Sequence, residues 1–101
     1  EAAQKYKMPT RIPPEYTFPF LDIDDQVIVM LDQLDYLYKS SGKKSPFSYA
    51  SYSILKQNES VINLKDKLTS LRGIGPFTEK LILKLINERD YSYLNNLIHF
   101  K

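Results

Sequence analysis

Apolar residues recur every three or four positions along most of the chain after residue 22. This is the spacing of one face of an α-helix, and no segment shows the strict alternation of a half-buried strand. The longest stripe predicts a first helix that begins at Asp24 or Asp25, either of which suits an N-cap, and ends at about Lys39. Its apolar face comprises Val27, Met30, Leu31, Leu34 and Tyr38.

Four shorter helices are predicted in the remainder of the chain. A loop at residues 40–46, with Gly42 as the helix terminator, leads to a second helix over about residues 47–57. Its expected core contacts are Tyr49, Tyr52 and Leu55. A short third helix is expected over residues 64–71, after a connector that contains Val61 and Ile62.

A fourth helix is predicted over about residues 77–87, and Asp90 is the expected cap of a fifth. The apolar face of the fifth helix comprises Tyr91, Leu94, Leu97 and Ile98. These elements predict an all-α fold, a compact bundle of about five helices. At 101 residues, the chain has the size of one domain with a single core.

The segment before the bundle has a different composition. Residues 1–22 contain four of the six prolines together with several aromatic residues. Proline disfavours a helix and pushes the preceding residue toward extended conformations. We therefore expect an extended arm over residues 1–22 and a helical domain over residues 23–101. The aromatic residues favour an arm that docks on a surface of the domain. A linker between domains and a contact with another subunit are the alternative interpretations.

Composition excludes several classes of function. The chain has no cysteine and one histidine, His99, which excludes disulfides and conventional zinc sites. No apolar run reaches the length of a membrane span, so no membrane association is expected. Charge is unevenly distributed: residues 22–35 carry five aspartates and no base, whereas residues 39–84 carry nine lysines and arginines against three acids. Such asymmetry suits a polyanionic partner, although solvated lysines would also explain it.

The segment Leu71-Arg72-Gly73-Ile74-Gly75-Pro76 joins the third and fourth predicted helices. Its glycines allow unusual backbone angles and leave no side chain between the turn and a ligand. The free amides at the start of the following helix, at the positive end of its dipole, attract a phosphate. Ile74 should be buried between the two helices, and Pro76 should lie in the first helical turn. Together these features predict a helix-hairpin-helix over residues 64–86.

A hairpin of this kind grips the nucleic-acid backbone and does not read bases, so binding should be independent of sequence. Nearby lysines and arginines would add charge-assisted contacts. The predicted DNA-binding residues are Arg72, Gly73, Ile74, Gly75, Phe77, Thr78, Lys80, Lys84, Lys43 and Lys44. The alternative is that the hairpin only packs helices or pairs proteins. For Lys43 and Lys44, a solvated loop is an equally good interpretation.

From Asp24 to about Leu97, the chain resembles the N-terminal helical domain of family X DNA polymerases, the repair enzymes related to polymerase beta and terminal transferase. The resemblance rests on the first helix over residues 26–38, the Gly-bearing loop, a second helix ending in Tyr-Ser-Ile-Leu-Lys, the hairpin and the closing pair of helices. It implies a domain that binds the 5′ side of a DNA gap or break.

Some members of that family also act as lyases at abasic sites. The lyase lysine lies on the helix after the hairpin, and the matching position here is Leu81. Lys80 is one step away, about 100° around the helix, and Lys84 lies one turn further on. The resemblance therefore implies a binder rather than a lyase, with Lys80 and Lys84 as weak catalytic candidates. It also implies a Na⁺ or K⁺ ion at the backbone carbonyls of Thr69, Leu71 and Ile74, with no required cofactor.

Two further sets of residues have open interpretations. Tyr36, Tyr38, Tyr49 and Tyr52 could stack on bases, but their spacing favours core or half-buried packing. Leu81 and Leu85 share one stripe of the fourth helix, where they could pack against the last helix or form a surface for a partner protein. The arm at residues 1–22 is a second candidate for a protein contact.

The function expected from these features is sequence-independent DNA-backbone binding within a larger DNA repair or recombination protein. Its location would be intracellular, and nuclear in a eukaryote. The principal alternative is a protein-interaction module that keeps the fold without DNA binding. A weaker alternative is an active 5′-deoxyribose-phosphate lyase.

Overall fold

The computed structural model describes residues 18–99, and this part of the chain is all-helical, as predicted. A 3₁₀ turn over Phe18–Phe20 is followed by five α-helices. They are α1 (Ile23–Ser40), α2 (Ala50–Lys56), α3 (Val61–Leu64), α4 (Pro76–Glu88) and α5 (Ser92–His99), with a second 3₁₀ turn at Leu68–Ser70. None of the helices in residues 18–99 is long and apolar enough to cross a membrane.

Helix α1 is the centre of the bundle and packs against each of the other four helices. Its buried face comprises Val27, Ile28, Val29, Met30, Leu31, Gln33, Leu34 and Leu37. The N-cap is Asp22, whose Oδ1 accepts a hydrogen bond from the Asp25 amide at 2.9 Å. The prediction of Asp24 or Asp25 as the cap is therefore wrong by two or three residues.

Asp24 caps a different helix. Its Oδ1 accepts hydrogen bonds from the Val61 amide at 2.7 Å and from the Ser60 hydroxyl at 3.1 Å. Ser60 in turn is the N-cap of α3, accepting from the Ile62 amide. Because these groups satisfy amides at residues 61 and 62, α3 begins at Val61. The predicted third helix at residues 64–71 is replaced by this single turn and the 3₁₀ turn at Leu68–Ser70.

Helix α2 is shorter than predicted and presents a different face to the core. Its buried residues are Ala50, Ser53 and Ile54, with Phe47 buried just before it. Two hydroxyl–carboxylate hydrogen bonds join this region to α1, from Ser51 to Asp32 at 2.6 Å and from Ser48 to Asp35 at 3.3 Å. These contacts and the small Ala50 side chain turn the predicted face of Tyr49, Tyr52 and Leu55 outward.

Helices α4 and α5 match their predictions closely. Pro76 occupies the first position of α4, and Arg89 ends the helix in the left-handed conformation, with φ of 54°. Asp90 then accepts hydrogen bonds from the Ser92 amide at 2.9 Å and the Ser92 hydroxyl at 2.6 Å. These hydrogen bonds lower the pKa of the Asp90 carboxyl below its usual range. Because α5 begins at Ser92, the N-cap position belongs to Tyr91, and Asp90 satisfies the first amide of the helix from one residue before the N-cap.

The arm predicted over residues 1–22 lies outside the described residues up to position 17. Phe18 is buried, and its ring centroid lies 5.0 Å from that of Tyr91. The Gln26 side chain donates hydrogen bonds to the carbonyls of Phe18 and Leu21, each at 3.0 Å. The last residues of this segment are therefore docked against the bundle, with Pro19 inside a 3₁₀ turn rather than in extended chain.

Candidate nucleic-acid interface

The hairpin between the Leu68–Ser70 turn and α4 is tightly turned. Gly73 has φ of +84°, a conformation that residues with a Cβ rarely adopt. The Ile74 amide donates to the Leu71 carbonyl at 3.2 Å. Ile74 itself is only 4% exposed, so its predicted role in pinning the hairpin to the core is confirmed.

The hairpin is seated directly on the start of α2. A Cβ added at Gly73 would lie 2.8 Å from the Tyr49 Cβ, closer than real Cβ atoms come. In addition, the Ser53 hydroxyl donates a hydrogen bond to the Arg72 carbonyl. A glycine at position 73 is therefore required by contact as well as by backbone angle, which the sequence alone does not reveal.

Gly75 plays a different part, at the N-cap of α4. Its φ of −94° is ordinary extended backbone, and a Cβ added there would meet nothing within 4 Å. No side chain caps the helix, so the amides of its first turn have neither an intrahelical partner nor a capping group. Pro76 has no amide hydrogen and Thr78 is only 2% exposed, so the exposed residues with a free amide at this end are Gly75 and Phe77, where an anion would bind at a helix N-terminus.

The side chains predicted to bind DNA differ in accessibility. Arg72, Lys80, Lys84, Lys43 and Lys44 are exposed, and Phe77 is half-exposed. Thr78, named among the predicted DNA-binding residues, is only 2% exposed and is therefore buried rather than at the surface. The Arg72 guanidinium lies over the Tyr49 ring, 5.5 Å from its centroid.

Lys80 and Lys84 line a groove of about 240 Å³ between α4 and α5. Aromatic and polar side chains that include Tyr91, Tyr93 and Asp90 form its opposite wall. Lys43 borders a separate small pocket beside Tyr38 and Tyr93. The predicted basic residues are therefore divided between the α4–α5 groove and the loop that follows α1.

Position 81, which the resemblance assigns to the lyase lysine, is occupied by a buried leucine at 8% exposure. A nucleophilic lysine is activated by an apolar pocket or by a neighbouring cation. Lys80 and Lys84 are both exposed. The described part of the chain therefore shows neither lysine in a buried pocket beside the hairpin.

Leu81 and Leu85 both belong to the core, Leu85 being fully buried. The interpretation that they pack within the bundle is confirmed. The predicted partner surface at these two positions is wrong, because the α4 stripe they share faces the other helices rather than solvent.

Four aromatic side chains next to the hairpin form a closed cluster that the sequence did not predict. Ring centroids are 5.2 Å apart for Tyr38 and Phe47, 6.2 Å for Phe47 and Phe77, and 5.4 Å for Phe77 and Tyr93. A hydrogen bond between the hydroxyls of Tyr38 and Tyr93 completes the ring of contacts among the four side chains. Burial and this hydrogen bond raise the pKa of Tyr38 to about 12.

The remaining tyrosines differ from the prediction. Tyr38 is half-buried, as expected, but Tyr36, Tyr49 and Tyr52 are 50%, 57% and 62% exposed. The Lys56 ammonium lies 5.9 Å from the centroid of the Tyr52 ring. Two neighbouring tyrosines of the α2 region are therefore each paired with a cation at the surface.

The backbone carbonyls that would hold a monovalent cation lie where the chain enters the hairpin. The Leu71 carbonyl accepts the Ile74 amide, which leaves it one acceptor lone pair. Thr69 is exposed in the preceding 3₁₀ turn. Carbonyl oxygens are suitable ligands for a hard cation, so the chemistry of this set is compatible with the predicted ion.

Comparison with protein-family models, curated proteins and solved structures finds no match to this chain. The likeness to family X polymerases accordingly stays a prediction from the sequence.

Proposed function

We propose that this domain binds the sugar–phosphate backbone of DNA without sequence specificity, as a targeting module of a larger DNA repair or recombination protein. The observation that carries the proposal is the open N-terminus of α4 at Gly75. A phosphate placed there would accept hydrogen bonds from the Gly75 and Phe77 amides at the positive end of the helix dipole.

The charges around the hairpin support the same ligand. Arg72 precedes the turn and Lys80 follows it by one helical turn, and both side chains are exposed. An arginine binds phosphate oxygens through a planar fork, whereas a lysine acts as a compact point charge. These contacts fix the position of a backbone and carry no base information, so binding independent of sequence follows.

The resemblance adds two finer features to the proposal. The preferred DNA would contain a gap or a 5′-phosphorylated end. A Na⁺ or K⁺ ion held by the carbonyls of Thr69, Leu71 and Ile74 would add positive charge beside the bound phosphate. No observation favours the lyase activity, because the family position holds Leu81, whose side chain has no amine.

The test is fluorescence anisotropy with intact duplex, gapped, 5′-phosphorylated and single-stranded DNA over a series of salt concentrations. For duplex DNA, the logarithm of the affinity should fall with the logarithm of salt concentration by about 0.9 per phosphate contact. Gly75→Val should weaken binding by about tenfold or more, since its side chain covers amides that form charge-assisted hydrogen bonds. Its ordinary φ allows the variant to fold, which circular dichroism checks.

Arg72→Ala should reduce the slope of log affinity against log salt concentration by about 0.9, the value for one phosphate contact. Lys39→Ala is the charge-matched control, because Lys39 is already paired with Asp35 at 3.0 Å. Equal affinities of wild type and a folded Gly75→Val variant would refute phosphate binding at the hairpin. No binding to any of these DNAs at low salt would refute the proposed function as a whole.

A further inference from the structure

The outer side of the α2 region carries exposed aromatic surface immediately beside the hairpin. Tyr49 and Tyr52 are three residues apart, a spacing that places side chains on one side of a helix. Both are more than half exposed. The close approach of Gly73 to the Tyr49 Cβ makes this side continuous with the hairpin.

Each ring is also paired with a cation. Arg72 lies over Tyr49, and Lys56 lies over Tyr52. Ser48 and Ser51, whose hydroxyls donate hydrogen bonds to carboxylates of α1, occupy the neighbouring flank of the α2 region. Positive charge and open aromatic rings therefore coincide on the Tyr49–Tyr52 side.

This combination distinguishes between two kinds of partner. Protein interfaces are enriched in tyrosine and arginine but depleted of lysine, so the pair of Lys56 with Tyr52 is the feature that fits a protein partner poorly. Single-stranded nucleic acid is bound by aromatic rings on which bases stack, beside cations that follow the phosphates. An arginine can itself stack on an unpaired base through its guanidinium plane.

We infer that the Tyr49–Tyr52 side of α2 is a stacking platform for unpaired bases, so that the domain prefers duplex DNA carrying a single-stranded tail to blunt duplex. The inference rests on the proposed function, because the hairpin would hold the backbone from which the tail emerges. It adds a substrate preference that the hairpin cannot supply, since backbone amides do not distinguish paired from unpaired bases.

The test compares a duplex with a single-stranded tail, the same duplex with an abasic tail of equal length, and the blunt duplex. The abasic tail keeps every phosphate and removes only the bases. Wild-type protein should bind the base-bearing tail about fivefold or more tightly than the abasic tail, the effect of stacking one base. Tyr52→Ala should abolish this discrimination, whereas Tyr52→Phe should retain it.

Two further variants make the test specific. Tyr49→Ala keeps the Cβ that contacts Gly73, so it removes the ring and leaves the seat of the hairpin in place. It should also reduce the discrimination between tails. Tyr36→Ala is the matched control, a half-exposed tyrosine on α1 next in sequence to Asp35, and it should leave the discrimination unchanged.

The failures are distinguishable. If wild type binds both tails equally while Gly75→Val weakens both, the stacking platform is refuted and the phosphate-binding hairpin stands. If wild type binds none of the three DNAs, the inference and the proposed function are refuted together. If Tyr52→Ala dissociates a dimer in analytical ultracentrifugation without changing the tail discrimination, this side is a protein contact, which also refutes the inference.

Discussion

Gly73→Ala tests how the hairpin is held against the bundle. With φ of +84°, position 73 lies in the left-handed region, where an L-residue costs about 1–2 kcal/mol. The added methyl would also lie 2.8 Å from the Tyr49 Cβ, 3.3 Å from its carbonyl carbon and 3.4 Å from its Cα. These atoms are backbone or attached to backbone, so the hairpin must move away from α2.

Overpacking of this kind costs about 1–3 kcal/mol, which brings the expected loss of unfolding free energy to about 2–5 kcal/mol. Small domains are stable by only about 5–15 kcal/mol, so the loss would be a large part of the total. Gly75→Ala is the matched control, since its φ is ordinary and its surroundings are open. Its stability should stay within about 1 kcal/mol of wild type, because the loss of unfolded-chain entropy favours alanine whereas the N-cap position favours glycine.

The measurement is urea unfolding followed by circular dichroism, with both variants and wild type fitted to a common slope. Tyr49→Gly combined with Gly73→Ala separates the two costs, because it removes the nearest clashing atom and leaves the backbone angle unchanged. The double variant should regain the part of the unfolding free energy that overpacking removes. The coupling energy between the two substitutions should therefore be about 1 kcal/mol or more. If Gly73→Ala is as stable as Gly75→Ala, or if the two effects in the double variant are additive, the close contact between Gly73 and Tyr49 is contradicted.

Three further predictions concern the rest of the bundle. Gln33 is 2% exposed and neither polar atom of its amide has a partner in the described part of the chain, so Gln33→Met should raise the unfolding free energy by about 1–3 kcal/mol in urea melts. Asp24→Ala should lower it by about 0.5–2 kcal/mol through loss of the α3 cap, and Asp25→Ala, which keeps that cap, should cost less. A spectrophotometric titration should find Tyr38 ionising at about pH 12, and the stability that its raised pKa contributes should be lost as pH rises from about 10 to about 12. In Tyr93→Phe the pKa of Tyr38 should fall, and an unchanged titration would show that their hydrogen bond has no part in the shift.

Long helices and the hairpin were predictable from sequence because each has several agreeing signals. The α1 stripe spans five turns, so a cap residue wrong by two or three positions leaves most of the helix correctly predicted. At α4, Pro76 and the glycines mark the start, and the apolar spacing marks the buried side. Burial of Ile74 followed from the same pattern.

Helices α2 and α3 were predicted poorly because tertiary contacts outweigh their local pattern. In the seven-residue α2, a rotation of one residue exchanges a tyrosine face for the Ala50–Ile54 face, and hydroxyl contacts with α1 decide between them. The start of α3 depends on the Asp24 carboxylate, which is 37 residues away in sequence. No local spacing rule contains either contact, nor the aromatic cluster that joins four separate segments.

On the proposed function, the two parts of the interface have different sequence requirements. The hairpin works through backbone amides, so it needs little beyond Gly73, an apolar residue at position 74 and an unobstructed position 75. A site of this kind can bind a phosphate group of many different ligands, so it cannot by itself select one DNA structure. Selection must come from side chains that the hairpin places next to the bound backbone. Because Gly73 contacts Tyr49 directly, a change in the tilt of α2 would move the tyrosines and the hairpin together, and the proposed preference for unpaired bases would change along with phosphate binding.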